Sequence, residues 1–305
     1  KLIPSAYLED FYAIKSKIFE YYPKNISAIY TSSSYAGNEG FKIWAAEKTN
    51  TGTKLVIGPH GGGFGNSLFD QSLDHQINIS DRYFSWGWST KNKQNKVIPL
   101  PAEKLVSIEK KLHPSPRGDI LIVCASFPRY FYYMGSYPIA GQFLKYIEDQ
   151  LSFLGSLSTE VKSLTKIRLH TQRKGLGWNF KLRIEDNGFK SLIDTSKNHM
   201  YDRINQSRLC IATYNATVFL ETLSANIPTI LFWNPSHSEN NKVAKSYFDE
   251  LRDVGVLHDS PISAAKVVND IYAEPSIWWN QPKIQVAVRR FCKKYAYVGD
   301  DWIGE

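Results

Sequence analysis

The chain has no run of about 18 consecutive apolar residues, so nothing in it reads as a membrane-spanning helix. Cysteine is scarce: Cys124, Cys210 and Cys292 are far apart, two of them inside apolar strand-like runs. That argues against a disulfide framework or a thiolate metal site and fits a reducing, cytoplasmic setting. The seven histidines are scattered, with no HxxxH pair and no carboxylate cluster at ligand spacing, so no metal is expected. A GxSxG elbow is missing, as are zinc-finger spacing and an RNP-type aromatic motif. These absences set aside a serine hydrolase and leave nucleic acid the weakest class of partner. Neither an internal repeat nor a low-complexity segment is present. No signal peptide is visible, and a start at Lys1 reads as a chain lacking its first elements.

What is present is a large, basic, aromatic-rich α/β pattern. Lys and Arg number 37 against 29 acids, a net charge of +8, spread over the chain. Such a balance suits an anionic substrate or an anionic membrane surface as well as a plain solvated face. At 305 residues the length suggests two domains. Apolar residues at helical spacing run from Tyr7 to Tyr21 and from Asn38 to Glu47, with strand candidates at 26–31, 54–57 and 97–99. Residues 100–118, rich in proline, make the best linker. A second alternation follows: strands at 119–124, 166–170, 209–213 and 229–233, with helices at 140–154, 246–254, 263–273 and 286–295. Strands alternating with helices indicate a parallel sheet in each half, covered on both faces. The expected fold class is therefore α/β, two Rossmann-like domains with parallel sheets facing a cleft. The expected division is residues 1–105, 106–285 and a last helix, 286–305, packing back on the first domain.

In the second half, three strands each end in polar residues: Ser126 and Arg129, then Arg168 and His170, then Asn215 and Thr217. The carboxyl edge of a parallel sheet is where ligands bind, and these are donors suited to phosphate. Asn215 and Thr217 are equally placed to cap the helix that follows. Glu221 lies one turn along that helix on the face of Thr217, placed to accept from a ligand's hydroxyls. Arg168 also reads as a structural partner for a core carboxylate, and His170 as a satisfied strand-end histidine. In the first half, Glu39 opens a helix as a candidate general base or as an acid stabilised by the helix dipole. The run Gly58–Gly65, with His60 inside it, implies close approach of backbone to a ligand or to the other domain, though it lacks P-loop and GxGxxG spacing. Asp81 is a second candidate carboxylate, with a structural network through Arg82 as the alternative.

Gly58–Gly65, His75–Tyr83, Trp86-Gly87-Trp88, Glu39–Ala46 and Pro128-Arg129-Tyr130 together resemble a family of transferases from bacterial O-antigen and surface-polysaccharide clusters. The likeness covers most of the chain. More distantly, the sequence is similar to GT-B transferases that use CMP-activated acidic sugars. Their acidic-acidic-Gly motif is matched by Asn38-Glu39-Gly40 with Asn for one acid. Their His-Pro motif is matched by His170-Thr171 without the Pro, and half of their Ser/Thr pair by Ala216-Thr217.

The resemblance implies a cytoplasmic, metal-independent glycosyltransferase with CMP-Kdo the leading donor and a surface-polysaccharide or lipid-linked glycan as acceptor. No cofactor is implied beyond the nucleotide-sugar. Glu39, Asp81 and His60 are the catalytic candidates. Ser126, Arg129, Arg168, His170, Asn215, Thr217 and Glu221 would hold the nucleotide. Basic residues of the last helix would touch the anionic inner membrane. A sugar-nucleotide epimerase and a non-catalytic glycan- or nucleotide-binding module stay open as alternatives, as does the stereochemical course.

Overall fold

A computed structural model describes residues 3–90, 95–130, 134–170 and 177–299. Thr171, paired with His170 above, lies outside the described residues. The chain divides into two compact units: Lys1–His60 with Ser72–Leu100, and Gly61–Gln71 with Pro101–Glu305. Both are parallel-sheet, Rossmann-like units, as the alternation of strands and helices requires.

In the first unit, α1 (Phe11–Tyr21) precedes β1 (Ala28–Thr31), the short α2 (Ser34–Gly37), α3 (Glu39–Asn50) and β2 (Lys54–Ile57). Then come α4 (Gln71–Ile79), β3 (Arg82–Ser85) and β4 (Val97–Pro99). Asn38 starts α3: its Oδ1 accepts the Phe41 N–H at 2.9 Å, a cap worth about 1 kcal/mol. Phe41, Trp44 and Ala45 are buried, and Lys15 on α1 meets Glu47 on α3 at 2.6 Å.

The strand order is β1-β2-β3-β4, without reversal. Right-handed crossovers then all fall on the same face of the sheet. The alternation follows: Ile29, Leu55, Ile57 and Tyr83 are buried, while Tyr30 on the other face is half exposed. Among the described residues, cover on both faces, expected for each sheet, does not hold for this one. Its second face carries Tyr30 and Phe84, stacked at 6.4 Å.

The second unit runs β5 (Asp119–Val123), α5 (Gln142–Ser156), α6 (Thr159–Leu164), β6 (Thr165–Arg168), α7 (Phe180–Asp186) and α8 (Met200–Asn205). It continues through β7 (Ser207–Ala212), α9 (Thr217–Ser224), β8 (Thr229–Phe232), α10 (Lys242–Asp253) and β9 (Leu257–His258). It closes with α11 (Pro261–Ile271), α12 (Pro275–Trp279) and α13 (Pro282–Tyr295). The order β6-β5-β7-β8-β9 reverses at β5, so successive crossovers cover opposite faces. Ile120, Ile122, Ile211, Ile230 and Phe232 from the strands meet Phe143, Ile147, Phe153 and Val268 from the helices in one core. Phe291 of α13 packs on Phe219 of α9 (5.8 Å) and on Phe248 of α10 (5.0 Å), so the last helix is part of this unit. No helix among the described residues is long and apolar enough to cross a membrane.

Residues 61–71 lie between β2 and β3 of the first unit in sequence but belong to the second unit. They lie as a strap along 238–241: Leu68 N donates to Glu239 O (2.9 Å) and Asn241 N to Asn66 O (3.0 Å). The Asn241 side chain, which caps α10 through Oδ1, also donates from Nδ2 to Gly65 O at 2.8 Å. Further on, Ser136 N donates to Phe69 O (3.1 Å) and Ser136 Oγ accepts from Phe69 N (3.0 Å).

Candidate functional site

The reversal of strand order places a switch point at the carboxyl ends of β5 and β7, paired Val123 to Ala212. Ligands of open parallel sheets bind at such a point. A chain of hydroxyls fixes the two ends. Thr213 donates to Val123 O at 3.0 Å, so its Oγ1 receives the proton of Tyr146 OH at 2.6 Å. The Tyr146 oxygen in turn accepts the Ala125 N–H at 2.7 Å. Tyr146 is buried and held neutral, its phenol pushed well above the usual range by burial.

Beyond β7, the turn Tyr214-Asn215-Ala216 leads into α9. The N-cap is Ala216, with no side-chain cap bond, so neither Asn215 nor Thr217 caps the helix. Thr217 has another partner. Its Oγ1 accepts the backbone N–H of Gly62 at 3.0 Å, which leaves its own hydroxyl proton for another acceptor. The strap fits because it is glycine: a Cβ on Gly61 would lie 2.5 Å from Thr217 Oγ1, and one on Gly62 2.6 Å from the Ala216 carbonyl oxygen. Asn215 Nδ2 donates to Oδ1 of the buried Asn66 at 3.0 Å. Its own Oδ1 is enclosed and has no hydrogen-bond partner among the described residues. The glycine run thus closes over the start of α9, where first-turn N–H groups and the helix dipole favour an anion.

One turn along α9, Glu221 is only 4 % exposed. Its Oε1 accepts from Tyr201 OH at 3.3 Å and lies 3.5 Å from Lys104 Nζ. No described residue donates to its Oε2, which is not among the sealed unpartnered atoms. A buried carboxylate with an uncommitted oxygen is costly unless something else completes it.

The other candidates of this unit separate into two groups. Ser126 follows β5 at the switch point, half-buried. Arg129 is exposed, its guanidinium over the rings of Trp178 (5.6 Å) and Tyr130 (5.9 Å), with no carboxylate partner among the described residues. His170 lies exposed just past β6. Arg168 is committed elsewhere: its guanidinium donates to Asp194 Oδ2 (3.1 Å), Ser196 O (2.8 Å) and Asn198 O (2.8 Å), a structural clamp on the segment before α8. Asp194 is shared with the buried Arg203 at 2.9 Å, and Arg203 also reaches Asp119 at 2.7 Å.

In the first unit, Glu39 opens α3 near the carboxyl edge of the sheet, beyond β1. Its carboxylate takes Lys42 Nζ at 2.8 Å and the Tyr7 hydroxyl, and these bonds hold it below the usual glutamate range. His60 is exposed just past the carboxyl end of β2. Asp81 sits at the opposite edge, where β3 begins. Its carboxylate accepts from Leu55 N (2.9 Å) and Lys54 (3.2 Å), and the Leu55 bond leads in keeping it below the usual range. That is a brace between β2 and β3. It runs through Lys54 and Leu55, while Arg82 turns back to the Asp81 carbonyl at 2.9 Å. Among the described residues no group of His, Cys, Asp and Glu is arranged to hold a metal ion.

Residues 1–305 match the family described as LIC12162 family transferase. The chain belongs to that family. Among solved structures it is similar to WaaG, a glycosyltransferase involved in lipopolysaccharide biosynthesis, at 12 % identity and a TM-score of 0.44 over 96 % of this chain and 92 % of that one. It is also similar to Acinetobacter baumannii MurG, at 12 % identity and a TM-score of 0.46 over 94 % and 78 %. Both are likenesses of fold. No curated protein matches the sequence.

In this LIC12162 family transferase, then, Ser126, Asn215, Thr217 and Glu221 gather around the switch point and the start of α9. Arg168 and Asp81 are spent on structure. The reading of the sequence passed over Asn66, Lys104 and Tyr201. Asn66 carried a faint signal, following directly on the glycine run; Lys104 lay in what reads as a linker, and Tyr201 in a short polar helix.

Proposed function

We propose that this transferase is a glycosyltransferase of the GT-B kind, moving a sugar from a nucleotide-sugar donor to a glycan acceptor of a surface polysaccharide. The observation that carries the reading is Glu221, a buried carboxylate with one uncommitted oxygen, one turn below an uncapped helix start at the switch point. A ribose hydroxyl meets such an oxygen, and phosphate meets the first-turn N–H groups of α9. The hydroxyl proton of Thr217, Ser126 and the unpaired guanidinium of Arg129 supply further donors. Charge developing on the leaving phosphate is stabilised by these groups and by His170, an electrostatic contribution to the transition state. Glu39 acts on the acceptor hydroxyl, as base or as positioning group. CMP-Kdo is the leading donor, on the likeness of Asn38-Glu39-Gly40 and His170-Thr171 to transferases of CMP-activated acidic sugars. Arg289, Lys293 and Lys294 on α13 face the anionic cytoplasmic surface of the inner membrane in this reading.

The test is a thermal-shift screen with CMP, UDP, GDP and ADP, followed by transfer assays with CMP-Kdo. A ligand that binds the folded state raises the melting temperature, the more so the tighter it binds at a given concentration, so one nucleotide stands out. Indifference to all four overturns the nucleotide reading. Sugar transfer that survives Glu39→Gln combined with His170→Ala overturns the assignment of those two residues.

A further inference from the structure

Both protein partners of Glu221 converge on the same oxygen. Tyr201 donates its hydroxyl to Oε1 at 3.3 Å from α8, and Lys104 brings its ammonium to 3.5 Å of Oε1 from the segment before β5. Oε2 has neither. Tyr201 is a donor of fixed direction: burial, then the adjacent carboxylate, push its phenol up to about 12, so the proton stays on oxygen. Tyr214, on the turn before α9, is likewise pushed up to about 12, first by burial, and is neutral. The groups facing the carboxylate are therefore one cation and two neutral phenols. Lys104 supplies the only positive charge among them, and its side chain is 42 % exposed where that of Glu221 is 6 % exposed.

We propose that Lys104 and Tyr201 are positioning residues, which engage Oε1 of Glu221 and aim Oε2 alone at one ribose hydroxyl of the donor nucleotide. This rests on the nucleotide-sugar reading and adds to it a specificity. With a single acceptor oxygen, the two ribose hydroxyls are not equivalent. Removing the one that meets Oε2 forfeits a hydrogen bond to a charged group, and removing its neighbour does not.

The experiment is calorimetric titration of the intact protein with CMP, UDP, GDP and ADP, then with the 2′-deoxy and 3′-deoxy forms of whichever binds. It is run on the wild type, Lys104→Met and Tyr201→Phe at neutral pH. The wild type is expected to lose about tenfold in affinity for one deoxy analogue and little for the other. In Lys104→Met the carboxylate is no longer held at Oε1 by the cation, and the difference between the two deoxy analogues shrinks. In Tyr201→Phe the carboxylate is free to turn, and the difference between the two deoxy analogues shrinks. Because Lys104 is largely exposed, its variant folds, which melting curves check. Wild type that binds none of the nucleotides overturns the donor reading and this inference together. Wild type that binds, with both variants keeping its discrimination between the deoxy analogues, overturns this inference alone.

Discussion

Gly62 and Thr217 stand 155 positions apart in sequence and meet at 3.0 Å, the backbone N–H of one on the hydroxyl oxygen of the other. The contact ties residues 61–65 of the glycine run to the second unit and sets the ceiling over α9. Its fit is steric as well as polar. In Gly62→Ala the new methyl meets the Ala216 carbonyl, a backbone atom with no room to give. Loss of about 1–3 kcal/mol of stability is expected by chemical denaturation. Gly155→Ala, inside α5 with nothing near its Cβ, is the control and is expected to stabilise by about 0.4–1 kcal/mol.

Thr217→Val keeps the shape and deletes the acceptor. The Gly62 N–H is then left without its partner, at a cost of about 1–3 kcal/mol. Thr217→Ser keeps the oxygen and is expected to lie close to wild type. Faster amide exchange at Gly62 in the Val variant, measured by hydrogen–deuterium exchange, locates the effect. Equal exchange in both variants would show that the bond contributes nothing.

Asp194 joins Arg168 and Arg203 at 3.1 and 2.9 Å, and both its side chain and that of Arg203 are nearly inaccessible. Burial works to raise this carboxyl, but the Ser196 N–H and hydroxyl and Arg203 outweigh it, so it lies below the usual aspartate range. A depressed carboxyl contributes stability that is complete above its unfolded value, about 3.9, and lost as pH falls through the folded value. Asp194→Asn is therefore expected to cost about 3–5 kcal/mol near neutrality, as for a broken buried ion pair. Its deficit relative to wild type should narrow in acid. A deficit independent of pH, read from denaturation at several pH values, would contradict the assignment.

Glu39 is held below the usual glutamate range by Lys42 first and Tyr7 second. If it serves as the base, the acid limb of the rate profile lies below the ordinary value of about 4.3, because only the ionised form accepts the proton. Lys42→Met moves that limb upward. Glu39→Gln lowers the rate by about 10²- to 10⁴-fold. A limb that stays put in Lys42→Met assigns the titration to another group.

Cys124, Cys210 and Cys292 are all pushed up to about 12, chiefly by burial. At pH 8 the thiolate is then about one part in ten thousand, and a thiolate is what alkylating reagents need. Cys124 and Cys210, both buried, are expected to resist labelling for hours in the native protein, while Cys292 is only partly covered; all three react once denaturant is added. Rapid modification of Cys124 or Cys210 in the native state would be incompatible with this burial.

Much of the fold was legible because period and composition report local structure. Buried runs such as Ile120–Val123 and Ile230–Phe232 have few readings other than strands of a covered parallel sheet. Short elements such as α6 and α7 were not legible: six or seven residues hold too little periodicity to stand out from loops. Site residues that follow strands, Ser126, Asn215 and Thr217, were found because the carboxyl edge is set by topology. The role of Arg168 was not separable in sequence from a phosphate contact, since Asp194 and Ser196 reach it only in three dimensions. One covered face in the first unit was hidden too, because strand order, not strand content, decides it.

Because the strap spans 61–71, the chain passes from one unit to the other three times, at residues 60, 71 and 100. A fragment cut at Pro101 would contain every strand of the second sheet and still present α9 with its roof gone. Shuttling the second unit into another protein, or splitting the chain for reconstitution, therefore cannot follow the linear boundary. The smallest self-sufficient version of that unit needs the strap restored to it, for instance as a short peptide fused ahead of residue 101 or supplied in trans.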